Sequence, residues 1–308
     1  MPSIGDHGSS AITKTLLLGH GGAGKTGLIA SLARRYKLFI ADFDNGLDIF
    51  LDPKVLPPEF RKNVYYKTFY DQVNIVGGKP IHAATSIPEF TAAIGGWREG
   101  SDNLGNIYTW GSNTVFVLDS LTFFGDAALR NAQGIAGRLG QRPQIQDYGA
   151  AVDTVETTIE MLYNPAVKCH VIVTAHLVPM NDQTSGNVIK LLPSAIGNKL
   201  PPKIGRYFNN VVLVEKSGSG NAVQRRLHTT ALHNTDLKVS KPSLVPPVME
   251  PDLDKLFTLL QGETPTANAS TGEKPKPTAP NANTNASTQT TAANSTSASQ
   301  SGLWTPKT

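Results

Sequence analysis

The chain has 308 residues, 39% of them hydrophobic, one cysteine and a formal net charge of +4. That length suits one large domain or two small ones, the lone Cys169 excludes an intramolecular disulfide framework and argues against a zinc finger, and so mild a charge does not by itself argue for nucleic acid. No run approaches the roughly 20 apolar residues of a membrane span, and the polar stretch from Met1 to Ser10 has no apolar segment of signal-peptide type, so a reducing cytoplasm is the expected setting.

Residues 1–12 read as a flexible N-terminus. Apolar runs predict strands at 13–19, 37–42, 64–68, 113–119, 168–175, 187–192, 209–215 and 223–230. Helical spacing predicts helices at 24–35, 87–98, 122–136, 147–163 and 197–207, and a late helix at 252–261 that follows Pro251 and is capped by Asp252. Early alternation of strand and helix predicts an α/β fold: a mostly parallel central sheet flanked by helices and extended by C-terminal antiparallel strands. The turn-forming run Asn181 to Gly186 predicts a hairpin-like excursion. Composition changes near Gly262. From Glu263 to Thr308 the chain is mostly Thr, Ala, Asn, Ser and Pro, with too few large apolar groups to offset ordering entropy, so a disordered tail is expected after a domain over 13–262. Gly302-Leu303-Trp304-Thr305-Pro306, near its end, is a candidate docking peptide for a protein partner.

The most informative run is Gly19-His20-Gly21-Gly22-Ala23-Gly24-Lys25-Thr26. It fits G-x-x-x-x-G-K-[ST], a phosphate-binding loop, and lies between an apolar strand candidate and a helix. Glycines let backbone N–H groups turn inward around phosphate oxygens, and a helix N-terminus adds partial positive charge. Lys25 is expected to reach the β- and γ-phosphates of ATP, and Thr26 to hold Mg²⁺ through its hydroxyl.

Three further strand ends complete a candidate site. Thr114 to Asp119 is a buried-strand pattern ending in an acid, so Asp119 is expected beside Thr26 in the Mg²⁺ shell. The stretch Phe39 to Asp48 carries Asp42 and Asp44 at the end of its strand. Hydrolysis needs a carboxylate to orient or deprotonate water; Asp44 is the first candidate and Asp42 the second. Val171 to Ala175 runs into His176, a candidate γ-phosphate sensor.

Together these residues resemble the RecA-like branch of P-loop NTPases. Asp44 falls where that family places its catalytic acid, Asp119-Ser120 looks like its Walker B ending, and His176 occupies its sensor position. Gln144-Ile145-Gln146-Asp147-Tyr148-Gly149, Thr174-Ala175-His176 and Pro251-Asp252-Leu253 are similar to motifs of phage nucleotide-binding proteins related to Sak-type single-strand annealing proteins. The resemblance implies an ATPase of phage-type DNA recombination, annealing or repair in the host cytoplasm. It implies a homo-oligomeric ring or filament with a basic residue supplied in trans, for which Lys199, Lys203, Arg206 and Lys216 are candidates. It implies single-stranded DNA as partner, tracked by a mobile Gly-rich loop over 129–146 with Arg130, Arg138 and Arg142, or by the segment after His176 with Lys190. Two alternatives stay open: an ATP-switched binding module with little turnover, and a small-molecule kinase.

Overall fold

A computed structural model of the protein describes residues 12–182, 184–232 and 234–263. Apart from Ile12 and Glu263, the expected flexible N-terminus and disordered tail lie outside the described residues. In chain order the elements are β1 (Lys14–Leu18), α1 (Lys25–Ile29), β2 (Lys37–Asp42), β3 (Val64–Thr68), β4 (Val73–Val76), β5 (Lys79–His82), α2 (Ser86–Gly95), β6 (Arg98–Glu99) and β7 (Asp102–Asn103). They continue with β8 (Thr114–Asp119), α3 (Leu121–Ile135), α4 (Ile145–Tyr163), β9 (His170–Ala175), β10 (Leu177–Asn181), β11 (Val188–Pro193), α5 (Pro201–Ile204), β12 (Asn210–Ser217), β13 (Gln224–His228), β14 (Val248–Met249) and α6 (Leu253–Gln261).

The central sheet has the order β14-β13-β12-β1-β9-β8-β2-β3. From β12 to β3 every neighbouring pair is parallel, and β13 and β14 add antiparallel strands at one end. This is the α/β architecture expected from the sequence. The period-2 rule divides its core. Leu16, Leu18, Phe39, Ala41, Phe116, Leu118, Val171 and Val173 face one layer, packed with residues of α2, α3 and α4. Leu17, Leu38, Ile40, Val115, Val117 and Ile172 face the other, packed with residues of α1 and α6. Strands covered on both faces read as continuous apolar runs, which is why β1, β2, β8 and β9 fall within their expected ranges.

Several expectations need correction. The helix predicted over 24–35 is α only from Lys25 to Ile29 and tightens to a 3-10 helix over Ala30–Arg34, so a long-helix dipole is not what this loop has to offer an anion. The helix predicted over 197–207 is one turn, α5, followed by a 3-10 turn, because Pro201-Pro202 permits only a helix start there. The strand predicted at 187–192 does not extend the central sheet; β11 pairs with β10 in a separate hairpin. The short hairpins β4–β5 and β6–β7 were not among the expected strands, although Val73-Asn74-Ile75-Val76 followed by Gly77-Gly78 is a hairpin signal. Among the described residues no helix is long and apolar enough to cross a membrane.

The expected mobile loop over 129–146 is also largely tied down. α3 reaches Ile135, and α4 starts at Ile145, where the Asp147 carboxylate accepts from the Gln144 N–H at 2.8 Å. Arg138 pairs with that same Asp147. Arg130 donates through Nε at 2.7 Å to Asp71, a buried acid outside the loop.

Asp71 holds this corner together. One carboxylate oxygen accepts from the N–H groups of Thr85 and Ser86 and from the Ser86 hydroxyl, each at 2.8 Å, so it closes the exposed amides at the start of α2. Burial alone pushes its pKa up, but the bonds from Arg130 and Ser86 outweigh burial and leave it below the usual carboxylate range. A depressed folded-state pKa gives stability that is present above the unfolded value and is lost as pH falls through the folded one. Asp71→Ala is therefore expected to lower unfolding free energy by about 3 kcal/mol at pH 7, since it leaves Arg130 and three donors unpaired. In urea titrations the gap between variant and parent should begin to narrow near pH ~4, the ordinary carboxylate value, and close only as pH falls through the lower folded-state pKa of Asp71.

Candidate functional site

Parallel strands of one sheet end on the same edge, and ligands of such sheets lie in the crevice outside their carboxyl ends. β1, β8, β9 and β2 are consecutive or near neighbours there, and the residues just past their ends are Gly19, Ser120, His176 and Phe43.

The loop Gly19 to Gly24 leaves β1 in a conformation that depends on glycine. Gly22 and Gly24 have φ of 71° and 101°, a region L side chains avoid. A Cβ on Gly19 would lie 2.9 Å from the Val214 carbonyl oxygen of β12, so the loop can start only by close backbone approach. His20, Gly21 and Gly22 are exposed at the tip, and a Cβ at Gly21 or Gly22 would meet nothing within 4 Å. The tip of the loop is thus open.

Lys25 turns back into that loop. Its Nζ donates to the carbonyls of Gly19 at 2.9 Å and His20 at 3.3 Å. Burial lowers its pKa, while Asp119 and Asp44 hold it up. The Thr26 hydroxyl donates to Asp119 Oδ2 at 2.7 Å. Asp119, fully buried, accepts on its other oxygen from the Thr174 hydroxyl of β9. Burial raises the Asp119 pKa, and the two threonines and Lys25 oppose it, with Asp44 adding to the rise.

The two acids after β2 separate clearly. Asp42 is buried and committed: Oδ1 accepts from the N–H groups of Asp44 at 3.1 Å and Gly46 at 3.4 Å, and Oδ2 from the Thr68 hydroxyl at 3.2 Å. It shapes the turn. Asp44 uses only Oδ1, which accepts from the Ser120 hydroxyl at 2.6 Å and the Ser120 N–H at 3.1 Å. Its Oδ2 faces His176 Nε2 at 3.7 Å, beyond hydrogen-bond range. Burial pushes the Asp44 pKa above the usual carboxylate range, against the pull of Ser120 and Lys25. Burial and the nearby Lys25 lower that of His176, so at pH 7 the ring is neutral and the contact is not an ion pair. His176 is held by its backbone, its N–H donating to the Thr122 hydroxyl at 3.2 Å and its carbonyl accepting from the Ser194 N–H at 2.7 Å.

The structure therefore gathers Gly19 to Thr26, Asp44, Asp119 and His176 at one edge and gives Asp42 a turn-shaping place. It also supplies three residues not singled out as site members: Thr174, Ser120 and Arg225. Thr174 and Ser120 sit inside motifs quoted above, so their positions were visible and their partners were not. Arg225 of β13 donates to the Ala23 carbonyl at 3.0 Å across 202 positions of sequence, and nothing local signals that. A cavity of about 230 Å³ opens beside the loop between His20, Ala23, Leu177, Leu191 and Lys216.

The donor set fits a nucleotide and Mg²⁺. A hydroxyl and a carboxylate 2.7 Å apart are hard oxygen ligands, and Mg²⁺ completes its shell with waters and substrate phosphates rather than with a protein cage. Among the described residues there is no group of three or more His, Cys, Asp or Glu able to hold a metal. Of the basic residues considered for a role in trans, Arg206 is paired with Glu156 at 3.1 Å, Lys199 and Lys203 are exposed, and Lys216 is exposed and lines the cavity. Lys190 is paired with Asp236 at 2.5 Å.

No protein-family model and no curated protein matches the chain. Among solved structures, it is similar to a KaiC-like protein of Pyrococcus horikoshii OT3 at 13% identity and TM-score 0.35, covering 74% of this chain and 82% of that one. It is similar to an ATPase of a type III secretion system of pathogenic bacteria at 13% identity and TM-score 0.37, covering 66% and 52%. It is similar to the flagellar accessory protein FlaH of Methanocaldococcus jannaschii at 10% identity and TM-score 0.38, covering 77% and 83%. All three likenesses lie below a TM-score of 0.5, and no role is carried from them to this chain.

Proposed function

We propose that this protein binds ATP and hydrolyses it. The observation that carries the reading is the meeting of Lys25, Thr26, Asp119 and Asp44 at one sheet edge, beside an open glycine loop. Lys25 exchanges the carbonyls of Gly19 and His20 for the β- and γ-phosphate oxygens, and the loop amides surround the β-phosphate. Thr26 and Asp119 would hold Mg²⁺, which offsets charge on the phosphates. Asp44, fixed through Oδ1 by Ser120, has Oδ2 left to orient water and take its proton. The water oxygen attacks the γ-phosphorus, the bond to the bridging oxygen breaks, and ADP and phosphate leave. His176 keeps one ring N–H when neutral and can donate it to the γ-phosphate. A carboxylate with a spare oxygen beside the sensor favours turnover over an ATP switch that barely hydrolyses.

The finer reading is a RecA-like recombination or annealing ATPase of phage type, working on single-stranded DNA as a ring or filament in the cytoplasm. It rests on the motif resemblance. The ion pairs of Arg130, Arg138 and Lys190 narrow its DNA contacts, among the basic residues considered, to Arg142.

Lys25→Ala should cost at least about 10²-fold in kcat/KM for ATP, the scale of removing one electrostatic contact to a transferring phosphoryl group. Asp44→Asn should lower kcat by roughly 10²- to 10⁴-fold, the usual worth of a positioned base. Asp44 works only when ionised and its pKa is raised, so activity falls as pH drops through a value above the ordinary carboxylate range, and Asp44→Asn should remove that limb from the pH–rate profile. Steady-state phosphate release measured with single-stranded DNA, duplex DNA and no DNA, with mass measured in parallel, tests the finer reading. Stimulation by single strands with a larger assembly is expected; identical rates in all three would remove DNA from the reading.

A further inference from the structure

Everything tied to the terminal phosphate lies on one side of the loop: Asp119 on β8, Thr174 and His176 at the end of β9, and Asp44 after β2. A nucleotide seated with its γ-phosphate there extends the other way, toward β12 and β13. On that side the one cation already bonded to the loop among the described residues is Arg225, whose Nε donates to the Ala23 carbonyl.

The loop is shaped around it. Gly24 has φ of 101°, and a Cβ there would lie 2.9 Å from Arg225 Nε and 3.2 Å from its Cδ. The positive φ requires glycine at this position, and the arginine side chain lies close against it. The neighbouring cations are differently placed: Arg226 is paired with Glu250, and Lys216, which faces Arg225 across the β12–β13 ladder, lines the cavity. Arg225 is exposed, and its two terminal nitrogens have no hydrogen-bond or ion-pair partner among the described residues. A guanidinium anchored at Nε and open at both ends is a two-pronged donor of the kind phosphate oxygens accept.

We infer that Arg225 is a nucleotide-binding residue supplied by the same chain, whose terminal nitrogens grip the α- and β-phosphates of ADP or ATP at the end of the cleft opposite Asp44 and His176. This rests on the nucleotide-binding reading above. Because the grip does not involve the γ-phosphate, it is made by ADP as fully as by ATP.

Titration of fluorescently labelled ADP and ATP against the full chain tests it, with the parent, Arg225→Ala, Arg225→Gln, Arg225→Lys and Lys25→Ala compared. Arg225→Ala should raise the Kd for ADP and for ATP by a similar factor of about tenfold, the scale of one charge-assisted hydrogen bond. Arg225→Lys, which keeps the charge, should recover part of the loss. Arg225→Gln, which keeps a donor for Ala23 and loses the charge, should not. An unmoved Kd for ADP in Arg225→Ala overturns the inference, and so does full recovery by Gln, which would make the side chain a brace for the loop. If the parent binds neither nucleotide, the nucleotide reading itself falls; if the parent binds both and Lys25→Ala does not, only the role of Arg225 is in question.

Discussion

The Asp119 carboxylate is the contact on which the site depends. It stands on β8, two strands from β1, yet one oxygen accepts from Thr26 at the start of α1 and the other from Thr174 on the intervening β9. That reach requires three strands to end level, which the parallel register supplies: Leu17 lies opposite Thr174, and Leu118 opposite Val173. It also requires a fully buried acid to be satisfied on both oxygens, because an unpaired charge there would cost several kcal/mol. The apolar runs of the sheet build the platform, and Asp119 is the polar group placed where that platform stops.

From this contact the rest of the cleft follows. The peptide after Asp119 presents the Ser120 N–H and hydroxyl to Asp44, and the Asp119 carbonyl accepts from the Phe43 N–H at 2.6 Å. The ends of β2 and β8 are therefore locked side by side, with Asp42 opposite Asp119 in the ladder. Burial makes this a cleft whose carboxylates hold their protons longer than usual and whose lysine, despite the pull of Asp119 and Asp44, releases its own sooner. Such a site is suited to a ligand that brings cations with its anionic groups.

Much of this was legible because strand ends are local features. An apolar run closed by Asp119, Asp44 or His176 states both that the segment is buried and that a polar group emerges at its end, and parallel topology then sends those ends to one edge. The glycine loop was legible for the same reason, since its φ requirements are written residue by residue. What stayed hidden was partnership across the chain. Asp71 meets Arg130 over 59 positions, and Arg225 meets Ala23 over 202. The arginines of 129–146 looked free because their acids lie at Asp71, outside the segment, and at Asp147, one residue past it. The bonds that commit Asp42 to its turn, from the amides of Asp44 and Gly46, were hidden likewise, since no pattern of residue types reports them.

One feature of the chain path has a mechanical result. His176 alone separates β9, locked in the middle of the central sheet, from β10, the first strand of a separate hairpin. The hairpin is held from its other strand as well: the Leu191 N–H donates to the Asn234 carbonyl at 3.2 Å, Lys190 pairs with Asp236 at 2.5 Å, and the Ser194 N–H returns to the His176 carbonyl at 2.7 Å. The corner between sheet and hairpin is therefore set by the backbone of a single residue clamped on both sides, and a shift of that backbone loads those bonds directly, with no slack loop to absorb it.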